Sequence, residues 1–266
     1  MKARLLTGLA AASLAVSIAV AGAGVPAQAA ETRRPTSTAN AQVFAVDWIS
    51  LTVAVAGYLV GGGGGGGDLQ AAIREIKLAI EQSKTEIIAQ IDAIAAAEVE
   101  ACLEAHTIEF LNIDFMDEFT LRSWAQNATN CATQASAFAG AVQSPQAVDK
   151  IGFVLGPIFA IVLAARAQAG FLNGTDLVLQ SQIRGYEAVV TKLTPTNCQL
   201  IVISEGSAFY EKWWTCTAYN GDVGRSSPCF GRNCQPNRAT AETQATRNTS
   251  RPVAVVALPR LRAVLP

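Results

Sequence analysis

The chain has 266 residues, half of them hydrophobic and only 15% charged, with 20 Lys and Arg against 21 Asp and Glu. No Lys/Arg cluster interleaved with aromatics falls on one predicted face, so the charge balance excludes a partner read through a basic footprint, and no nucleic acid is expected. A single histidine, His106, removes most triad and metal chemistry that needs imidazole.

Residues 1–29 read as a signal peptide. Lys2 and Arg4 precede an apolar stretch, and Ala27-Gln28-Ala29 gives the small-x-small pattern of a cleavage site. Cleavage near Ala29 would remove two basic residues and no acidic ones, leaving a mildly acidic, secreted (extracellular) chain. Residues 30–42, polar and containing Pro35, read as a flexible arm.

Residues 43–60 form an almost wholly apolar segment broken by Asp47, which reads as a helix either buried among other helices or placed in lipid. Gly61 to Gly67 follow as a linker. A phosphate-binding loop would need Gly-Lys-Ser/Thr entering the next helix; here Asp68 would occupy the position an anion wants. The glycines therefore read as a joint on which the preceding helix can be repositioned.

Residues 68–195 are expected to be a helical bundle. Leu69, Ile73, Ile76, Ile80, Ile87, Ile91 and Ile94 alternate threes and fours, with charged residues between, including Lys77 and Glu81 four apart. The pattern runs on towards a turn near Asn112 to Asp114. A second long helix then carries Leu121, Trp124, Ala128, Cys131, Ala135, Phe138 and Val142 on one stripe, returning antiparallel on the first. Ser144 and Pro145 are an N-cap and first helical residue for a third, whose apolar stretch Ile151 to Ala165 is short for a membrane span and contains Gly156-Pro157, expected to kink or split it. Thr175 to Leu193 supply one more amphipathic helix, ended by Thr194-Pro195.

Residues 196–236 change character. They hold four of the six cysteines, the turn dipeptides Asn220-Gly221 and Ser227-Pro228, and a cluster of aromatics, and read as short strands and loops. Six cysteines in an exported chain imply disulfides. The pairs drawn are Cys102 with Cys131 across the helical turn, Cys198 with Cys216, and Cys229 with Cys234. Residues 237–266 read as a flexible C-terminal tail, with Pro252 to Pro266 either a strand or a docking segment. The expected fold is mainly α: an antiparallel helical bundle built on a long αα-hairpin, with a C-terminal disulfide-rich region of short strands and loops.

Three functional classes are carried forward. The first is a secreted, non-enzymatic interaction protein presenting Tyr210, Trp213, Trp214 and Tyr219 to a protein or cell-wall glycan partner, since aromatic rings with polar edges suit both. The second is a membrane-active, pore-former-like helical protein that releases residues 43–60. The third is a hydrolase using the carboxylates Asp114, Asp117 and Glu118, although acids at a helix start also serve as caps. Ser207 lacks the Gly-x-Ser-x-Gly elbow of a nucleophilic serine. His106, beside Glu104 and Glu109, reads as a helix-surface residue near a helix C-terminus. No cofactor or metal site is expected. Membrane contact and a homodimer through the heptad stripe both stay open.

Overall fold

The computed structural model describes residues 46–61, 66–91, 97–205 and 209–265, all within one compact unit, Thr36–Pro266. The segments expected to be a signal peptide (1–29) and a flexible arm (30–42), residues 43–45, residues 62–65 of the expected glycine joint, Ile94 and Ser207 lie outside the described residues.

The protein is mainly helical, with a small antiparallel sheet and disulfides in its C-terminal region. The helices are α1 (Trp48–Val60), α2 (Gly66–Ile91), α3 (Ala97–Glu109), α4 (Glu118–Ala141), α5 (Pro145–Gln168), α6 (Thr175–Leu193), α7 (Arg238–Ala245) and α8 (Arg251–Arg262). The turn Phe110–Phe115 is a 3-10 helix between α3 and α4, and β1 (Asn197–Glu205), β2 (Phe209–Thr217), β3 (Val223–Arg225) and β4 (Cys229–Phe230) lie between α6 and α7.

Helix α5 is the core. Every residue from Ile151 to Ala165 is buried, and α1, α2, α3, α4, α6 and α8 all pack against it. A helix that is apolar all round has no solvent face and must be enclosed. Of the two outcomes expected at Gly156-Pro157, a kink or a split, the split does not occur: one helix runs through Pro157, capped by Ser144 with Pro145 in its first turn. Among the described residues it is the one helix long and apolar enough to cross a membrane, with 94% of its apolar window buried inside the protein.

The amphipathic helices turn their stripes inward. Leu69, Ile73, Ile76, Ile80 and Ile87 of α2 and Leu121, Ala128, Cys131 and Ala135 of α4 are buried. Cys102–Cys131 joins α3 to α4 with Cα atoms 5.8 Å apart. Lys192, in the last turn of α6, donates to the carbonyls of Ala139, Gly140 and Val142. It thereby supplies donors and positive charge where α4 leaves its final carbonyls unpaired. Asp117 caps the start of α4 through the Phe119 and Thr120 N–H groups.

The expected flexible tail is instead helices α7 and α8. Ala254, Ala257, Leu258 and Leu261 repeat at helical spacing and are buried, while Arg260 pairs with Asp47, the N-cap of α1, and Arg262 with Glu187 of α6. The β-branched residues of this segment suggested a strand, but burying that stripe against α6 and α1 prevails over local propensity.

Asp149 ties the C-terminal region to the core helix. It is 4% exposed; its Oδ2 accepts from the Tyr219 hydroxyl and its Oδ1 from the Ser250 N–H at 2.6 Å. Burial pushes its carboxyl above the usual range, the hydrogen bonds from Ser250 and Tyr219 opposing that effect in part.

Candidate functional site

The sheet is built on the pair β1 and β2, which run antiparallel from Asn197↔Thr217 to Glu205↔Phe209. Cys198 and Cys216 sit directly opposite each other and are disulfide-bonded, so the register is covalently fixed; a one-residue slip would exchange the faces of every side chain. Strands β3 and β4 both pair with the far edge of β2, giving the order β1-β2-β3. At Gly221, φ +86 lets the chain reverse between β2 and β3, and the Gly221 N–H donates to Ala218 O.

Packing of the sheet on α7 holds the rest of the platform. Gly224 of β3 lies so close to α7 that a Cβ there would stand 2.2 Å from both Ala241 O and Ala245 N. Cys216, Ala218, Ala241 and Ala245 form a small second core between sheet and helix, with Trp214 packed against it. Cys229–Cys234 closes the loop after β4.

The four aromatic residues proposed for binding do not share one surface. Alternation along β2 sends Tyr210 and Trp214 to one face and Trp213 to the other. Trp214 is half-buried towards α7 with the Arg238 guanidinium 5.4 Å from its ring centre, and Tyr210 is likewise covered by Arg232 at 5.5 Å. Tyr219, beyond the strand, turns inward to Asp149 and is a structural residue. Trp213 lines a shallow surface pocket, with Glu211, Arg225, Ser226 and Pro228.

Strand β1 carries a feature that the aromatic reading overlooked. Backbone groups of alternate β2 residues face β3 and β4: Trp214 O accepts from the Ser226 N–H and Tyr210 O from the Gly231 N–H. Their partners on β1, Leu200 and Ser204, therefore direct N–H and C=O away from β2, as does Val202, opposite Lys212. No described element pairs with that outer edge. Three apolar side chains along β1 are exposed, Leu200 43%, Val202 48% and Ile203 42%, beside the exposed polar Gln199 and Ser204. Neither proline nor lysine interrupts β1, although such residues commonly protect sheet edges from pairing.

The acidic cluster has structural duties. Asp114 forms an ion pair with Lys77, Asp117 is the α4 cap, and Glu118 pairs with Arg122 one turn on. Beside them Phe115 and Phe119 are 87% and 83% exposed, an apolar pair at the α3–α4 turn that a carboxylate-centred reading misses. His106 lies in the last turn of α3, as expected, but it is buried rather than on the surface, with its ring edge-on to Trp124 at 5.4 Å. Burial lowers its pKa, with the Asn127 backbone and Glu109 acting in the opposite direction. Among the described residues no three His, Cys, Asp or Glu side chains gather as a metal site.

No protein-family model matches the chain, and no curated protein or solved structure is found to be similar to it.

Proposed function

We propose that this chain is an exported, non-enzymatic interaction protein whose helices, read as an antiparallel bundle on an αα-hairpin, hold a disulfide-linked ribbon that accepts an extended segment of a protein partner along β1. The observation that carries this reading is the outer edge of β1, with outward backbone groups at Leu200, Val202 and Ser204 and exposed apolar side chains. Strand addition takes affinity from main-chain hydrogen bonds and specificity from alternate side chains. The division of the aromatic rings between faces favours a peptide over a glycan, which needs several rings on one platform. The structural duties of Asp114, Asp117 and Glu118 favour binding over hydrolysis. Three disulfides are compatible with an extracellular protein.

The test is selection of displayed random peptides on the oxidised protein and, in parallel, on Val202→Pro. Proline at 202 removes an outward N–H and leaves the β2 ladder intact, a position where edge strands tolerate it. Enrichment of extended, alternating apolar sequences on the wild type alone supports the reading. No enrichment, or equal enrichment on both, refutes it.

A second reading, membrane contact, is favoured by exposed Phe115 and Phe119 beside a protein core built on the spanning-length helix α5. It requires vesicle binding that falls in the double variant Phe115→Ala/Phe119→Ala. Vesicles of neutral and anionic lipid that bind neither protein remove it.

A further inference from the structure

A recess of about 280 Å³ lies where the loop between α5 and α6 meets α4. Gln126 comes to it from α4, Phe171, Leu172 and Asn173 from the loop, and Arg166 from the last turn of α5. Three arginines among the described residues are not exposed: Arg166, Arg251 and Arg260. Arg251 faces Glu242 and Arg260 faces Asp47, whereas Arg166 has no carboxylate partner among the described residues. Burial pushes the pKa of both Arg166 and Arg251 below the usual range, but only at Arg251 does an acid, Glu242, oppose it. The guanidinium stays charged all the same. A charge drawn out of water without a partner is costly, and buried arginines are for that reason almost always paired.

The group is held in place. Its Nη2 donates to Asn173 O at 2.5 Å, and the guanidinium lies 5.8 Å from the Phe171 ring centre. Asn173 O and the carbonyl end of α5 offer partial negative charge only. Nη1 has no hydrogen-bond partner and, unlike the buried Nε, keeps accessible surface. One nitrogen therefore fixes the fork while another is open to an incoming acceptor.

One uncompensated cation matches one negative charge. A carboxylate presents two oxygens to a guanidinium, whereas a phosphate dianion would bring a second charge that no other side chain of the recess answers. Gln126 adds an amide donor, and Phe171 with Leu172, the latter 41% exposed, offers apolar surface to the body of a ligand. At ~30 Å³ per water-sized group, the volume admits roughly nine heavy atoms.

We infer that this recess binds a small apolar monocarboxylate, its carboxylate received by the Arg166 guanidinium with the Gln126 amide and its body resting on Phe171 and Leu172. None of these residues belongs to β1, and the inference is independent of the strand-addition reading.

Benzoate, which matches this size, is the probe; benzamide, its neutral counterpart, and inorganic phosphate are the controls. Binding to the oxidised, ¹⁵N-labelled full chain is followed by NMR through the backbone amides of Phe171, Leu172 and Asn173 and the side-chain amide of Gln126. Benzoate is expected to move these signals saturably, with benzamide and phosphate each at least about tenfold weaker. Arg166→Gln removes the charge and should weaken benzoate about tenfold or more, the loss of one charge-assisted contact. Leu172→Glu, at an exposed position, gives the recess a carboxylate of its own and should abolish binding with the helical circular dichroism retained; it keeps the test valid if Arg166→Gln fails to fold. No saturable movement, benzamide or phosphate binding as tightly as benzoate, or unchanged benzoate affinity in either folded variant overturns the inference.

Discussion

Replacing Asp149 by alanine isolates the joint between the core helix and the C-terminal region. The substitution leaves the Ser250 N–H and the Tyr219 hydroxyl without their acceptor, at a site where Ser250 is completely buried. Each orphaned buried group costs about 1–3 kcal/mol, so the pair amounts to roughly 2–6 kcal/mol, a large share of the 5–15 kcal/mol typical of a folded domain. For a unit of this size, 1 kcal/mol corresponds to about 2–4 °C, placing the fall in Tm at roughly 5–20 °C. Asp149→Asn keeps one carbonyl acceptor for Ser250 and should cost less than half as much. The pH dependence has a fixed sign. Because the folded-state pKa is raised, the native protein holds this proton more tightly than the unfolded chain. The contribution is full below the unfolded carboxylate pKa and is lost as pH rises through the folded value. Thermal unfolding followed by circular dichroism should therefore show the advantage of wild type over Asp149→Asn shrinking from about pH 4 upward. An Asp149→Ala protein melting within about 2 °C of wild type, or an advantage that grows with pH, would refute the joint.

His106 should behave in the opposite sense: its lowered pKa makes a contribution present above about pH 6.5 that is lost as pH falls through the folded value, and as the lone histidine it can be titrated by one NMR signal. A midpoint at or above the free-histidine value contradicts its burial against Trp124. Opening Cys102–Cys131 by the double alanine variant removes a cross-link with a sequence separation of 29 and should cost about 3–4 kcal/mol in denaturant unfolding; an unchanged midpoint contradicts a stabilising role. Gly224→Ala drives a methyl into the α7 backbone and should lower stability by about 1–3 kcal/mol, whereas Gly221→Asn, in an exposed turn, should cost under about 1 kcal/mol.

The helices were legible where one face repeats. Ile73, Ile76 and Ile80, or Ala128, Cys131 and Ala135, carry their periodicity within a few turns, and Asp117 and Ser144 announce their caps. The three disulfides also join the pairs drawn from spacing, because each closes over a neighbouring turn or strand. Contacts distant in sequence left no local sign. Asp149 meets Tyr219 and Ser250 across 70 and 101 positions, and Arg260 meets Asp47 across 213. The tail was misread because Val253, Val255 and Val256 suggest a strand locally, while the buried Ala254, Ala257, Leu258 and Leu261 define the helix only against its neighbours. On the ribbon, Trp213 and Trp214 drew attention by residue type. The plainer run Leu200 to Ile203 could not declare itself an edge, since strand order is a property of the whole sheet.

The open edge can be tested most directly by amide hydrogen exchange on the free, oxidised protein. The outward amides of Leu200, Val202 and Ser204 should exchange rapidly, while those of Ile201 and Ile203, held in the β2 ladder, are protected by at least about two orders of magnitude. Equal protection along the whole strand would mean that the edge is already covered, and would contradict a ribbon waiting for a partner strand.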